Sequence, residues 1–149
     1  MTLETKKHEF FMREALKEAK KAYKEDEIPV GAVIVRNNKV IARGYNQIET
    51  LHDATAHAEM IAITSAQNNL GSKYLNDCEL YVTLEPCMMC SGAIFLSKVK
   101  KVVYSLQDKE RGHIYKSKEY INKKLVIIDN ILENDSKVLI NSFFEKIRK

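Results

Sequence analysis

The sequence predicts an α/β fold, a layered and partly parallel sheet that opens on an antiparallel hairpin. Three observations carry this. Segments with helical spacing of apolar residues alternate with short strand-like runs along the whole chain. Asn37-Asn38, a tight-turn dipeptide, returns the first run into the second. The 149 residues contain no linker, repeat or low-complexity tract, so residues 1–149 suit one domain around one core.

The elements follow in order. From about Thr5 to Lys24, Met12, Ala15, Leu16, Ala19 and Tyr23 keep helical spacing, while Lys17, Lys20, Lys21 and Lys24 form a solvated face. Pro29 closes that segment. Val30 to Val35 reads as a buried strand in which Gly31 admits a close neighbour, and Lys39 to Tyr45 returns beside it. A loop from Asn46 to Thr55 leads into a helix whose packing candidates are Met60, Ile61, Ile63 and Thr64; it fades by Asn68-Asn69, before Gly71. Leu80 to Leu84 is a short strand expected to deliver Glu85 and Pro86 to a metal site, and the helix from Cys87 to about Lys98 follows, with Ala93, Ile94 and Leu96 as core candidates. Val102 to Ser105 and Leu125 to Asp129 are further strands separated by a charged loop. The closing helix, Asp135 to Arg148, places Leu139, Ile140, Phe143, Phe144 and Ile147 on one side.

Composition narrows the class. Lys and Arg number 24 against 20 Asp and Glu, a net charge of +4 that permits a nucleic-acid partner without requiring one. The first residues, Met1 to Lys7, lack the apolar core of a signal peptide, and no apolar run is long enough to span a bilayer. A soluble, cytoplasmic protein with no membrane role is therefore expected. Three cysteines suit a reducing compartment better than a disulfide scaffold.

The chemistry concentrates in Leu84-Glu85-Pro86-Cys87-Met88-Met89-Cys90. Cys87 and Cys90 share a face if a helix starts near Pro86. Upstream, His57-Ala58-Glu59 opens another helix. One imidazole and two thiolates would leave the fourth corner of a tetrahedral zinc for water, and the pKa of such a water falls from about 16 toward roughly 7. Glu59 can then take a proton from the water and return it to a ring nitrogen and a leaving amine. Residues two apart on a regular helix diverge, so His57 and Glu59 meet only if His57 sits at the helix N-terminus, with Asp53 or Thr55 as cap. Two helix N-termini at the site would favour thiolate and hydroxide. A structural zinc or a redox pair is the alternative; a structural site would need a fourth ligand, and Cys78 reads instead as a small apolar side chain.

His-x-Glu followed by Pro-Cys-x-x-Cys is similar to the signature of zinc nucleobase deaminases. Nearly the whole chain resembles the bacterial tRNA-specific adenosine deaminase branch of the cytidine-deaminase-like superfamily. The motifs that carry this are Pro29-Val30-Gly31-Ala32-Val33, Gly44-Tyr45-Asn46, Thr55-Ala56-His57-Ala58-Glu59, Tyr81 through Ala93, and Ser142-Phe143-Phe144. The resemblance implies a three-layer α/β/α cytidine-deaminase-like fold with a central five-stranded mixed sheet, and a homodimer whose sites draw on both chains. It implies one Zn2+ per subunit on His57, Cys87 and Cys90, with Glu59 as general acid and base. The implied partner is a tRNA anticodon loop, whose wobble adenosine is hydrolysed to inosine. Asn46 matches the asparagine that hydrogen-bonds the nucleoside, Asp108 the acidic residue near its sugar, and Phe144 the terminal aromatic pair; the backbone amides of Ala58 and Cys87 are further donors. The chain departs from the branch at Ala54, often proline, at Glu145, often basic, and in 109–122, which is shorter and lacks a Gly-Ser-rich loop. Within that segment Lys109, Arg111, His113, Lys116 and Lys118 form a basic run. His8, His52 and His113 read as surface or locally bonded. Two alternatives stay open at this point: a deaminase of free bases such as guanine or cytosine, and a nucleic-acid-binding module with structural zinc.

Overall fold

The protein is described by a computed structural model covering residues 1–148. Helix α1 (Leu3–Lys24) is followed by strands β1 (Gly31–Arg36) and β2 (Lys39–Tyr45), a short α2 (Ile48–Leu51) and α3 (Ala58–Leu70). Then come β3 (Cys78–Leu84), α4 (Met88–Ser97), β4 (Lys101–Leu106), α5 (Ile114–Tyr120), β5 (Val126–Ile128) and α6 (Glu133–Ile147). The strands form one sheet in the order β2-β1-β3-β4-β5. β1 is antiparallel to β2 and to β3, whereas β3, β4 and β5 run parallel. Asn37 and Asn38 both adopt positive φ, 51° and 60°, and thereby make the tight turn that pairs Arg36 with Lys39.

Side-chain alternation builds the three layers. Ala32, Ile34, Leu80, Val82, Val102 and Tyr104 face α3, α4 and α5, whereas Val33, Val35, Tyr81 and Val103 face Phe11, Met12 and Ala15 of α1. The central strands β1, β3 and β4 are buried on both faces, so they read as apolar runs rather than as alternating ones. α1 lies close to the sheet because Gly31 has no side chain: a Cβ there would run into the Ala15 carbonyl and the Ala19 amide.

Several expectations need correction. The stretch after β2 contains α2, and the charged segment after β4 contains α5, with Ile114 and Ser117 buried. Thr64 and Leu96, assigned to packing, are exposed, as is Ile147 of α6; the buried face of α3 consists of Ala58, Glu59, Ala62, Ile63 and Ala66. His8 is not at the surface; it is buried, its ring 6.1 Å from that of Tyr81. Among the described residues no helix is long and apolar enough to cross a membrane.

Candidate active site

The site forms where four strands end on one edge of the sheet. β3 and β4 present their C-terminal ends there and β1, running the other way, its N-terminal end; β2 delivers Asn46. A cavity of about 500 Å³ opens at that edge. His57, Glu59 and Cys87 line it on one side and Asn46, Asp108 and Phe144 on others. Of the eight residues assigned to zinc, proton transfer or the nucleoside, all but the fully buried Cys90 and Ala58 therefore reach this cavity wall. Its apolar surface, from Ile28, Val30, Ile48, Leu84, Leu106 and Ile140, was not foreseen.

His57 is the N-cap of α3, in extended conformation (φ −73°, ψ 152°), and Cys87 is the N-cap of α4. This geometry lets His57 and Glu59 serve one site although only Ala58 separates them. The expected caps are not used: Asp53 Oδ1 accepts from the Thr55 amide and hydroxyl inside the preceding loop. The first helical amide of α3, that of Ala58, instead donates to Asn46 Oδ1 at 2.9 Å, while Asn46 Nδ2 donates to the Ile28 carbonyl at 3.1 Å. An amide must meet the oxygen and a carbonyl the nitrogen, so both contacts fix how the Asn46 side chain is turned. Asn46 thus locks β2, the strand-entry segment and the helix that bears His57 to one another.

His57 Nδ1 lies 3.6 Å from Cys87 Sγ and 3.6 Å from Cys90 Sγ. Zinc–sulfur bonds of about 2.3 Å and zinc–nitrogen bonds of about 2.05 Å at a tetrahedral angle require an N to S separation of roughly 3.6 Å. The donor set therefore fits zinc. These three are the only His, Cys, Asp or Glu group of its kind among the described residues, and Cys78 is buried elsewhere, beside Asp77 at the start of β3.

The three donors share charge in a way that suits a cation. The Cys87 thiol is pushed down to about 3 by a hydrogen bond from Cys90 and by His57, a shift that favours thiolate. The same contact holds the Cys90 thiol well above its ordinary range, and the thiolate raises His57. Metal binding must displace the remaining protons. Glu59, 4 % exposed, is pushed up to about 7, chiefly by burial. A dication on the neighbouring ligands opposes that burial, so the carboxylate is poised between accepting and giving a proton.

Two further buried carboxylates, Glu27 and Glu85, stand outside the metal group, and of these Glu85 lines the cavity. Glu27 accepts the amides of Glu49 (3.1 Å) and Thr50 (2.7 Å) and the Thr50 hydroxyl (2.8 Å), which explains α2. Burial alone would raise Glu27, but these donors outweigh it and hold the carboxyl below its ordinary value. Glu85, expected beside the metal, turns to the segment after β4. In the basic run, Lys109 and Arg111 line the cavity. Lys118 does not: its ammonium donates to the carbonyls of Lys123 and Leu125.

A three-donor zinc site beneath a cavity large enough for a nucleobase belongs to a hydrolytic metal enzyme, because a structural zinc would close its shell with a fourth side chain. Comparison with known sequences narrows the class. The chain belongs to the family described as "Cytidine and deoxycytidylate deaminase zinc-binding region", whose profile matches residues 5–106. A tRNA-specific adenosine deaminase of Aquifex aeolicus is 44 % identical over 145 residues, covering 94 % of this chain and 95 % of that protein. A solved structure from a study of A-to-I editing by tRNA:A34 deaminases superposes with a TM-score of 0.82 at 36 % identity, covering 87 % of this chain and 98 % of the other. A guanine deaminase from Bacillus subtilis is 41 % identical with a TM-score of 0.63, covering 72 % of this chain and 66 % of that one.

Proposed function

We propose that this protein converts adenosine to inosine at the wobble position of a tRNA anticodon by zinc-dependent hydrolysis in the cytoplasm. The observation that carries the reading is the burial of Glu59 beside the His57, Cys87 and Cys90 donor set, on the wall of a cavity of about 500 Å³. The tRNA-deaminase relative that matches along nearly its whole length supports the substrate. Zinc held by the three donors supplies the Lewis acidity that makes water a nucleophile near neutral pH.

The chain's own residues do the rest. The apolar wall of Ile28, Val30 and Leu106 takes the purine, extruded from the flexible anticodon loop at small unstacking cost. Glu59 accepts a proton from the attacking water and delivers it to N1 as the water oxygen bonds to C6. The remaining proton of that water, now on the C6 hydroxyl, passes through Glu59 to the exocyclic amine, the C6–N6 bond breaks, and ammonia leaves an inosine carbonyl. The Ala58 amide is already taken by Asn46 Oδ1, so Asn46 meets the base with its second Nδ2 hydrogen and the remaining Oδ1 lone pair; Asp108 faces the sugar; Phe144 closes the wall. Lys109 and Arg111 at the cavity meet the flanking phosphates.

The test is inosine formation on a tRNA anticodon stem-loop, run beside free guanine, cytosine and adenosine. The expected result is inosine at one adenosine, with affinity that falls as salt rises. Turnover of free guanine with the RNA untouched would transfer the assignment to the second reading, which the Bacillus subtilis guanine deaminase supports.

A homodimer is part of the proposal. Met88 (70 % exposed), Phe95 and Leu96 (72 % exposed) stand on one outer face of α4, the helix that carries both cysteines. Covering that stripe with a second copy would stiffen the zinc site. Sedimentation equilibrium should return twice the chain mass, and Leu96→Glu should return the chain mass; a monomer before substitution would remove the dimer from the proposal.

A further inference from the structure

We infer that Glu85 is a positioning residue that ties the substrate-facing segment 107–113 to the strand end carrying the zinc ligand Cys87, and this rests on the deaminase reading above. Glu85 is buried at the cavity wall, two residues before Cys87, yet it is not one of the metal donors. Its Oε1 accepts the Asp108 amide at 3.2 Å, and the Ile114 amide also faces the carboxylate. Gly112 makes room for it: a Cβ there would fall on the Glu85 carboxyl carbon and Oε1 and on the Asp108 carbonyl.

The backbone repeats the same tie at both ends of the segment. The Glu85 amide donates to the Leu106 carbonyl at 2.8 Å, and the His113 amide donates to the Pro86 carbonyl at 3.0 Å. Between these anchors Asp108 Oδ1 accepts the amides of Glu110 and Arg111, and the Gly112 amide returns to the Asp108 carbonyl at 2.8 Å. The Glu85-Pro86 dipeptide thus grips a tight turn that carries Gln107, Asp108, Lys109 and Arg111 along one side of the cavity. A buried carboxylate left without its amide partners, or amides left without it, is unfavourable, so the contact holds the turn in one place. A substrate seated against that turn is registered directly to the metal ligand, with no intervening flexible chain.

Glu85 acts through the turn and touches no reacting atom, so its removal should weaken substrate capture more than the chemical step. Glu85→Ala should speed amide hydrogen exchange across 107–114 by about tenfold or more, with zinc still bound at one per chain. On the anticodon stem-loop KM should rise about tenfold while kcat stays within about threefold. Glu85→Gln keeps one acceptor oxygen and should recover part of both effects. Gly112→Ala, with Glu85 intact, should reproduce the Glu85→Ala phenotype by pushing the turn off the carboxylate. Unchanged exchange in Glu85→Ala, loss of zinc with collapse of kcat, or a Gln variant no better than Ala would each overturn the assignment. Exchange is read without substrate. Absence of RNA turnover by the unmodified protein would therefore sink the substrate reading and leave the pinning to be decided by the amides alone.

Discussion

Glu59→Gln is expected to lower kcat on the stem-loop by about a thousandfold or more while the protein keeps one zinc per chain. The substitution preserves shape and a hydrogen-bonding oxygen in the first turn of α3, where Glu59 packs at 4 % exposure, so the cavity should survive. It removes the one group placed to carry protons between water, ring nitrogen and leaving amine. The other two buried carboxylates nearby are engaged elsewhere: Glu85 is committed to the Asp108 amide and Glu27 to α2. Steady-state kinetics with metal analysis on the same sample check this, and near-normal turnover with zinc retained would show that Glu59 is structural.

Cys90→Ala should be as severe by another route. Cys90 is fully buried in the first turn of α4, and His57 Nδ1 lies 3.6 Å from its sulfur. Two donors remain after substitution, too few to hold the ion at ordinary free-zinc levels. Zinc should fall below about a tenth of an equivalent, turnover should vanish, and the melting temperature should drop as the junction of α3 and α4 loses its crosslink. Cys78→Ala is the control. Cys78 is equally buried but lies beside Asp77, so zinc and turnover should stay at the level of the unmodified protein.

The three donors that the structure brings together, His57, Cys87 and Cys90, were legible in the sequence because the chemistry needs particular side chains at particular spacings and both segments are short and local. The sheet was legible for a similar reason. Strands such as Val33 to Val35 and Leu80 to Val82 are continuous apolar runs, and Asn37-Asn38 is a turn that few other residues make as readily. The two short helices were not legible. α2 is capped by Glu27, a carboxylate that is far from it along the chain, and α5 hides a sparse buried pair, Ile114 and Ser117, among lysines and a glutamate.

The same lesson applies to the caps. Asp53 and Thr55 had the right chemistry just before α3, yet Asn46 won the Ala58 amide because β2 ends against that helix terminus. Asn46 and Glu85 were visible as motif members, but their partners are tertiary, and spacing along the chain does not encode which amide a buried oxygen will find. Leu96 failed as a core residue for the opposite reason. Its apolar character was read correctly, and the face it occupies points outward.

X-ray absorption at the zinc K-edge of the loaded protein is the most direct measurement of the centre. Two sulfurs at about 2.3 Å and two light atoms at about 2.0 Å, one of them exchangeable for a small anion, are expected for an open site on His57, Cys87 and Cys90. A third sulfur, or a shell of four protein donors that no added anion perturbs, would mean a closed structural zinc and would contradict hydrolysis at this centre.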